Sequence, residues 1–324
     1  MNTAAQTPEL ERELERYRRE LIAYCYRMLG SAFDAEDAVQ ETMVRAWRGL
    51  DRFEGRAALK SWLYRIATNV CLDMLNGKER RIRPLELGDA GGLDSPLTTR
   101  GEASWLEPIP DGQVVADADP AQVAEERETL RLAFVAALQH LPPQQRAVLI
   151  LREALRWRAN EVAELLETSV ASVNSSLQRA RAALEATEIT PSEQLDPLDE
   201  EQQELLERYV RAFEAYDMDG LAALLHEDAK QSMPPYEMWL LGREDILRWW
   251  FGPGIGCKGS KLIPTVANGL PAFGQYRPSG PGGSYEPWAL QVLELSDGRI
   301  VGYTAFLNTG RLFPLFGLPP TPPE

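Results

Sequence analysis

The stretch from Pro142 to Glu185, PPQQRAVLILREALRWRANEVAELLETSVASVNSSLQRARAALE, limits the fold more than any other part of the chain. Its last helical pattern carries Val170, Val173, Leu177, Ala180 and Leu184 at alternating three- and four-residue steps, which lays one apolar stripe along a helix. The other face presents Ser172, Asn174, Ser175, Ser176, Gln178, Arg179 and Arg181. The preceding pattern packs with Val162, Ala163, Leu165 and Leu166, so only Glu167, Thr168 and Ser169 separate the two stripes. Ser169 is placed to cap the second helix. Two short helices, a tight turn and an outer face of short polar residues and arginine describe a helix-turn-helix that reads DNA. The turn lacks the common glycine, and the pattern alone also fits a helical hairpin in a larger bundle.

The 324 residues are enough for two or three domains. A net charge of −15 and a pI near 4.8 oppose a uniformly basic nucleic-acid binder, so basic surface must be local. Cys25, Cys71 and Cys257 are far apart and match neither a metal spacing nor a disulfide framework, as expected of reduced thiols in a cytoplasmic protein. No apolar run reaches membrane-spanning length, and nothing in the pattern calls for a metal or cofactor.

In order, residues 9–29 predict a helix ended by Gly30, with Leu14, Tyr17, Leu21, Tyr24 and Met28 inward. Residues 34–50 predict a second, with Ala35, Val39, Met43, Ala46 and Trp47 inward and Asp34, Glu36, Asp37 and Glu41 on its first turns, where carboxylates suit the helix dipole. Residues 61–76 predict a third, with Trp62, Leu63, Ile66, Val70 and Met74 inside. Between Arg45 and Arg81 nine basic residues face four acids, with Phe53, Trp62 and Tyr64 interleaved, a composition suited to single-stranded nucleic acid. Residues 82–119 are rich in Gly, Pro, Asp and Ser and read as a flexible linker with one apolar island at Trp105 and Leu106. Extended, such a linker reaches some 130 Å at about 3.3 Å per residue, enough to set its neighbours two turns of DNA, about 70 Å, apart. Residues 119–140 predict one helix, and 186–197 a second short linker. Beyond Leu198 helices give way to alternating runs at 261–267, 272–276, 288–295 and 299–307, with a hairpin turn in SDGRI: an α+β layout.

Four segments, DAEDAVQETMVRAW, KSWLYRIATNVCLDMLNGKERR, LPPQQRAVLILREAL and NEVAELLETSVASVNSSLQRARAAL, resemble bacterial sigma factors of the extracytoplasmic-function class. RYVRAFEAYDMDGLAALLHEDAKQSMPP looks like the NTF2-like, SnoaL-like fold. The resemblance implies a multidomain chain: a region-two domain over 9–82, a linker over 83–119, a region-four helix-turn-helix over 120–187 and a SnoaL-like α+β domain over 198–316. It implies core RNA polymerase and promoter DNA as partners. Asp34, Asp37, Gln40, Glu41 and Arg45 would then hold the polymerase. Arg52, Phe53, Arg56, Lys60, Trp62, Tyr64, Arg65, Asn69 and Arg80 would open and read the minus-ten strand. Ser172, Asn174, Ser175, Gln178, Arg179 and Arg181 would read the minus-thirty-five element. In the third domain His226, Met233, Tyr236, Trp239, Trp249, Trp250, Trp288, Tyr303 and Phe306 are candidates to line a pocket for a small ligand. His226 and Asp228 are its candidate acid and base, but pattern supplies them no third partner, and the expected role is regulation in cis rather than catalysis. Two alternatives stand beside this: a DNA-binding regulator that does not join the polymerase, and a SnoaL-type isomerase or cyclase or ligand sensor fused to such a regulator.

Overall fold

The computed structural model describes residues 14–50, 59–115, 120–187, 193 and 199–323; Arg52, Phe53 and Arg56 lie outside them. The chain forms two compact units. The first takes residues up to Arg81 together with Leu106–Ile189, and the second takes Ile82–Trp105 with Thr190–Glu324.

In the first unit α1 (Arg18–Leu29) ends where Gly30 turns left-handed at φ 70° and donates its N–H to Tyr26 O at 2.8 Å. α2 (Ala32–Gly49) starts two residues earlier than the pattern suggested, because Ser31 caps it through the N–H of Asp34 at 3.1 Å. α3 (Leu59–Leu75) follows. The single helix expected over 119–140 is two, α4 (Pro120–Leu130) and α5 (Leu132–Gln139), broken where Arg131 takes ψ 138°. Next come α6 (Pro143–Leu149), a π turn at Ile150–Ala154, α7 (Ala159–Leu165) and α8 (Val170–Glu185). Tyr24, Tyr26, Met28, Leu63, Tyr64, Leu138 and Ile150 form the centre of the unit, all with essentially no exposed surface. Each large apolar side chain buried this way contributes about 1.5–3 kcal/mol. Trp47, expected inward on α2, is 59% exposed.

The described residues of 83–119, expected as a flexible linker, are divided between the units. Leu106, Ile109 and Val114 are buried in the first, where Glu107 N–H donates to Gly30 O at 3.0 Å and Tyr26 Oη to Glu107 O at 2.8 Å. Residues 82–105 form an ordered strap on the second unit. Gly91 N–H donates to Trp239 O at 2.8 Å, Arg100 N–H to Pro235 O at 3.1 Å, and Glu237 N–H to Thr98 O at 2.9 Å. Low apolar content does not prevent order here, because the backbone itself finds partners.

The second unit packs α9 (Glu200–Ala215) and α10 (Met218–Leu224), capped by Asp199 and Asp217, with α11 (Arg243–Phe251) against a sheet of β1 (Leu225–Ser232), β2 (Trp239–Leu241), β3 (Lys261–Ala267), β4 (Leu270–Arg277), β5 (Glu286–Ser296) and β6 (Arg299–Phe306). Strand order is β2-β1-β6-β5-β4-β3; β1 and β6 are parallel and the other neighbours antiparallel. Asp297 and Gly298, at φ 51° and 63°, make the hairpin turn that the SDGRI pattern predicts. α12 (Thr309–Leu315) closes the chain against β5. Among the described residues no helix is long and apolar enough to cross a membrane, and no His/Cys/Asp/Glu group is arranged to hold a metal.

Candidate functional site

The turn of the helix-turn-helix explains how a chain without glycine can make it. Glu167 takes the left-handed conformation at φ 52°, where an L side chain is strained. Ser169 Oγ then accepts the N–H of Ser172 at 3.1 Å and starts α8. Val173, Leu177 and Ala180 are buried, whereas Val170, expected in the same stripe and the first residue of α8, is 42% exposed. Ser172, Asn174, Ser175, Gln178, Arg179 and Arg181 all stand on the exposed face. Arg179 donates to Ser176 Oγ at 3.2 Å, and Arg181 pairs with Glu153 at 2.6 Å. Replacing Glu167 with glycine should stabilise the first unit by up to about 1 kcal/mol, read as a rise in the denaturation midpoint, since glycine occupies this conformation without strain.

On α3 the expected nucleic-acid residues separate into two groups. Tyr64 is fully buried, with its ring 5.2 Å from Tyr24 and 5.1 Å from Trp157, and burial with Glu20 close by pushes its phenol well up. It is a core residue and cannot stack on a base as expected. Trp62 is half-buried, with a ring carbon 3.2 Å from where a Cβ on Gly49 would lie. Lys60 pairs with Glu20 at 2.5 Å. Asn69 and Arg80 are exposed, and Arg80 meets His140 Nε2 at 3.1 Å. Arg65 donates to Glu164 O at 3.0 Å and lies 3.8 Å from the Glu167 carboxylate. Arg65 and Asn69 thus share one polar cleft of about 330 Å³ with Ser172 and Ser176.

On α2, Asp37 and Gln40 are exposed, and Glu41 pairs with Arg45 at 2.7 Å, which also reaches Asp73 at 3.2 Å. Asp34 is instead taken up by the nearly buried Arg81 at 2.7 Å, so it serves the fold rather than a free docking face.

The second unit holds a cavity of about 230 Å³ lined by residues of its helices and its sheet. Met233, Tyr236, Trp249, Trp250, Trp288 and Tyr303 line it as expected. His226 and Trp239 do not: His226 Nδ1 accepts the N–H of Asp228 at 3.1 Å on β1, and Trp239 Nε1 donates to Gly88 O at 3.1 Å in the strap. Phe306 is buried but also stands outside the lining. Sequence reasoning missed Gln231, Cys257, Gln275, Arg277 and, from the strap, Leu97. The strand period of two would have put Gln275 and Arg277 on one face. Gln275 stands inside a buried relay in which Tyr209 Oη donates to Gln291 Oε1 at 2.7 Å, Gln291 Nε2 to Gln275 Oε1 at 2.9 Å, and Gln275 Nε2 to Ser260 Oγ at 3.0 Å. Burial pushes the Cys257 thiol up, so it is not a ready nucleophile.

Family comparison matches residues 14–81 to "Sigma-70 region 2", 131–184 to "Sigma-70, region 4" and 206–303 to "SnoaL-like domain". The ECF RNA polymerase sigma factor SigG of Mycobacterium tuberculosis (strain H37Rv) is 47% identical over 310 residues, spanning 94% of this chain and 82% of that protein. The chain belongs to the ECF RNA polymerase sigma factors. A second member, SigJ from the same organism, is 29% identical over 306 residues, 89% of this chain and 88% of its own. The crystal structure of Mycobacterium tuberculosis SigJ superposes with a TM-score of 0.61 over 95% of this chain and 99% of that one, at 23% identity, and so shows the shared fold. In this sigma factor α2 and α3 fall within the region-two match, α8 as far as Leu184 within the region-four match, and Gln231, Gln275 and Arg277 within the SnoaL-like match.

Proposed function

We propose that this sigma factor holds core RNA polymerase through the exposed part of α2, reads the minus-thirty-five element with the outer face of α8, and engages the minus-ten strand through Lys60, Trp62, Arg65, Asn69 and Arg80. The observation that carries this is the α8 face: every expected reading residue on it is exposed, while Val173, Leu177 and Ala180 behind it are buried. Work beside the polymerase places the protein in the cytoplasm. Run-off transcription with purified core polymerase tests the reading; a chain that neither associates with core nor starts RNA synthesis sinks it.

The arrangement within the first unit also bears on how it acts. Arg65 and Asn69 face Ser172 and Ser176 across one cleft, whereas two promoter elements two turns apart lie about 70 Å from one another. The two readers therefore have to separate on the polymerase. Arg65 is bound to the turn that starts α8, so promoter engagement must first release that contact. Trp47 supports the α2 assignment. A large exposed aromatic seven residues after the exposed Gln40, and so on the same face of α2, suits the anchor of a protein interface, where single aromatics carry 2 kcal/mol or more. Trp47→Ala should weaken core association by roughly thirtyfold in gel-shift or calorimetric titration while the Tm stays put.

For the SnoaL-like domain we read regulation in cis. The strap 82–105 is bound to that domain by backbone hydrogen bonds and by the Arg100–Glu237 pair at 2.5 Å, and it supplies Leu97 to the cavity. The cavity suits binding rather than general acid–base chemistry, since no carboxylate or imidazole stands among the described residues lining it. Arg100→Glu sets like charges together at the strap and should change run-off output by up to about fivefold, the equivalent of the ~1 kcal/mol an exposed pair can carry. Equal output from both proteins removes the regulatory reading.

A further inference from the structure

The cavity of the second unit is mostly apolar, walled by Phe213, Met218, Trp249, Trp250, Tyr303 and Leu307. Two of its polar groups do not fit that description. Gln231, on β1, is 2% exposed, and its Oε1 is buried without a hydrogen-bond partner. Arg277, at the end of β4, has a buried Nε that is equally unpartnered. Its guanidinium lies over the Trp288 ring, 3.9 Å from the centroid, and among the described residues no carboxylate pairs with it. The neighbouring amides make the contrast sharper: Gln275 and Gln291 are tied into the Tyr209–Ser260 relay. A buried polar atom left without a partner costs about 1–3 kcal/mol, and more when the group is charged. Two of them on one small cavity mark places where a bound molecule completes the bonding.

Gly256 bears on the same guanidinium. A Cβ there would come within 2.5 Å of Arg277 Nη2, so this position leaves the cation its place beside Trp288. Planar, always charged and fork-shaped, an arginine so placed matches a carboxylate in two parallel hydrogen bonds. At about 30 Å³ per water, the 230 Å³ cavity has room for roughly eight waters, and so for a molecule on the order of ten non-hydrogen atoms.

We propose that this cavity binds a small amphipathic carboxylic acid, with its apolar or aromatic body among Trp249, Trp250 and Tyr303, its carboxylate on Arg277 and a second polar atom on Gln231. The proposal rests on reading the cavity as a binding site, and it assigns the ligand's chemical class. It also gives the strap a direct view of occupancy, because Leu97 shares the lining.

The test uses the full chain and 3-phenylpropionate, paired with its neutral isostere 3-phenylpropionamide, followed by calorimetry and by tryptophan fluorescence. The acid is expected to bind saturably and at least tenfold tighter than the amide. Arg277→Gln should abolish that preference, and Gly256→Ala, which displaces the guanidinium but keeps its charge, should reduce it. Circular dichroism establishes that both variants fold, and Gln231→Leu, which leaves Arg277 in place and removes a group for which neither probe carries a second polar atom, should keep the preference for acid over amide. Equal binding of acid and amide, displacement of the acid by inorganic phosphate at equal concentration, or no saturable binding of the acid up to about 5 mM would each overturn the proposal. Recovery of the probe unchanged after incubation supports binding; turnover would instead overturn the reading on which the proposal rests. None of these measurements involves polymerase or DNA, so their failure leaves the promoter reading intact.

Discussion

Replacing Arg146 with methionine should destabilise the first unit by about 3–5 kcal/mol, the range for stripping one partner from a buried charged network. Arg146 is 2% exposed. Its guanidinium donates to Met28 O, to Gln139 Oε1 at 2.6 Å, to Gln139 O at 3.0 Å and to Leu141 O at 3.1 Å. Met28 lies in the last turn of α1, and Gln139 ends α5. The cation thus satisfies carbonyls that helix ends leave open, and it sits where two helix dipoles are negative. That explains how a charge is kept inside the unit without a carboxylate bonded to it. Burial lowers its pKa to about 10, so the guanidinium remains protonated at neutral pH. Methionine fills a similar volume but leaves four acceptors unpaired. For a unit of this size the midpoint should fall by roughly 10 °C, followed by circular dichroism. Arg146→Lys should fall between the two, since an ammonium cannot reach carbonyls on both helix ends in one plane. A shift of under 2 °C in the methionine variant would show that the network contributes little.

The elements legible in the sequence are those whose own residues decide them. α8 follows from one stripe and one capping serine, and the Asp297–Gly298 hairpin from a two-residue turn with positive φ. The elements that were not legible are decided by residues far away. β1 reads LHEDAKQS, with no β-branched or aromatic residue, and is a strand because it lies between β2 and β6. The strap likewise has a disordered composition and is held by carbonyls and amides of residues some 135–150 positions further on, as between Gly91 and Trp239. The same limit applies at the candidate sites. Exposed face residues of α8 could be named from period alone, but Tyr64 could not be told from a base-stacking aromatic until Trp157 was seen against it. At the cavity, aromatic density points to the lining and His226 draws attention by residue type, whereas nothing in the sequence pattern singles out Arg277. What distinguishes Arg277 is an absent bonding partner, which only three-dimensional placement reveals.

Changing Ser172, Gln178 and Arg179 together to alanine should cut initiation at a promoter that depends on its minus-thirty-five element by at least about a hundredfold. Each good base or phosphate contact of this kind is worth about 1–3 kcal/mol, and separate positions add approximately. The fold should survive the change. All three side chains are exposed, the buried stripe of Val173, Leu177 and Ala180 is untouched, and alanine is the strongest helix former. The cap is preserved too, because Ser169 accepts the backbone N–H of residue 172, whatever its side chain. Run-off transcription with core polymerase measures the effect, and association with core, which we propose runs through the α2 face, should stay at the wild-type level. Arg179→Ala alone separates two roles for that residue. A phosphate contact weakens binding on every sequence and lowers the salt slope by about one, whereas a base contact relaxes preference at one position. Retention of full initiation by the triple variant would mean that α8 does not enter the groove, and a packing role for the helix-turn-helix would have to replace the DNA-reading one.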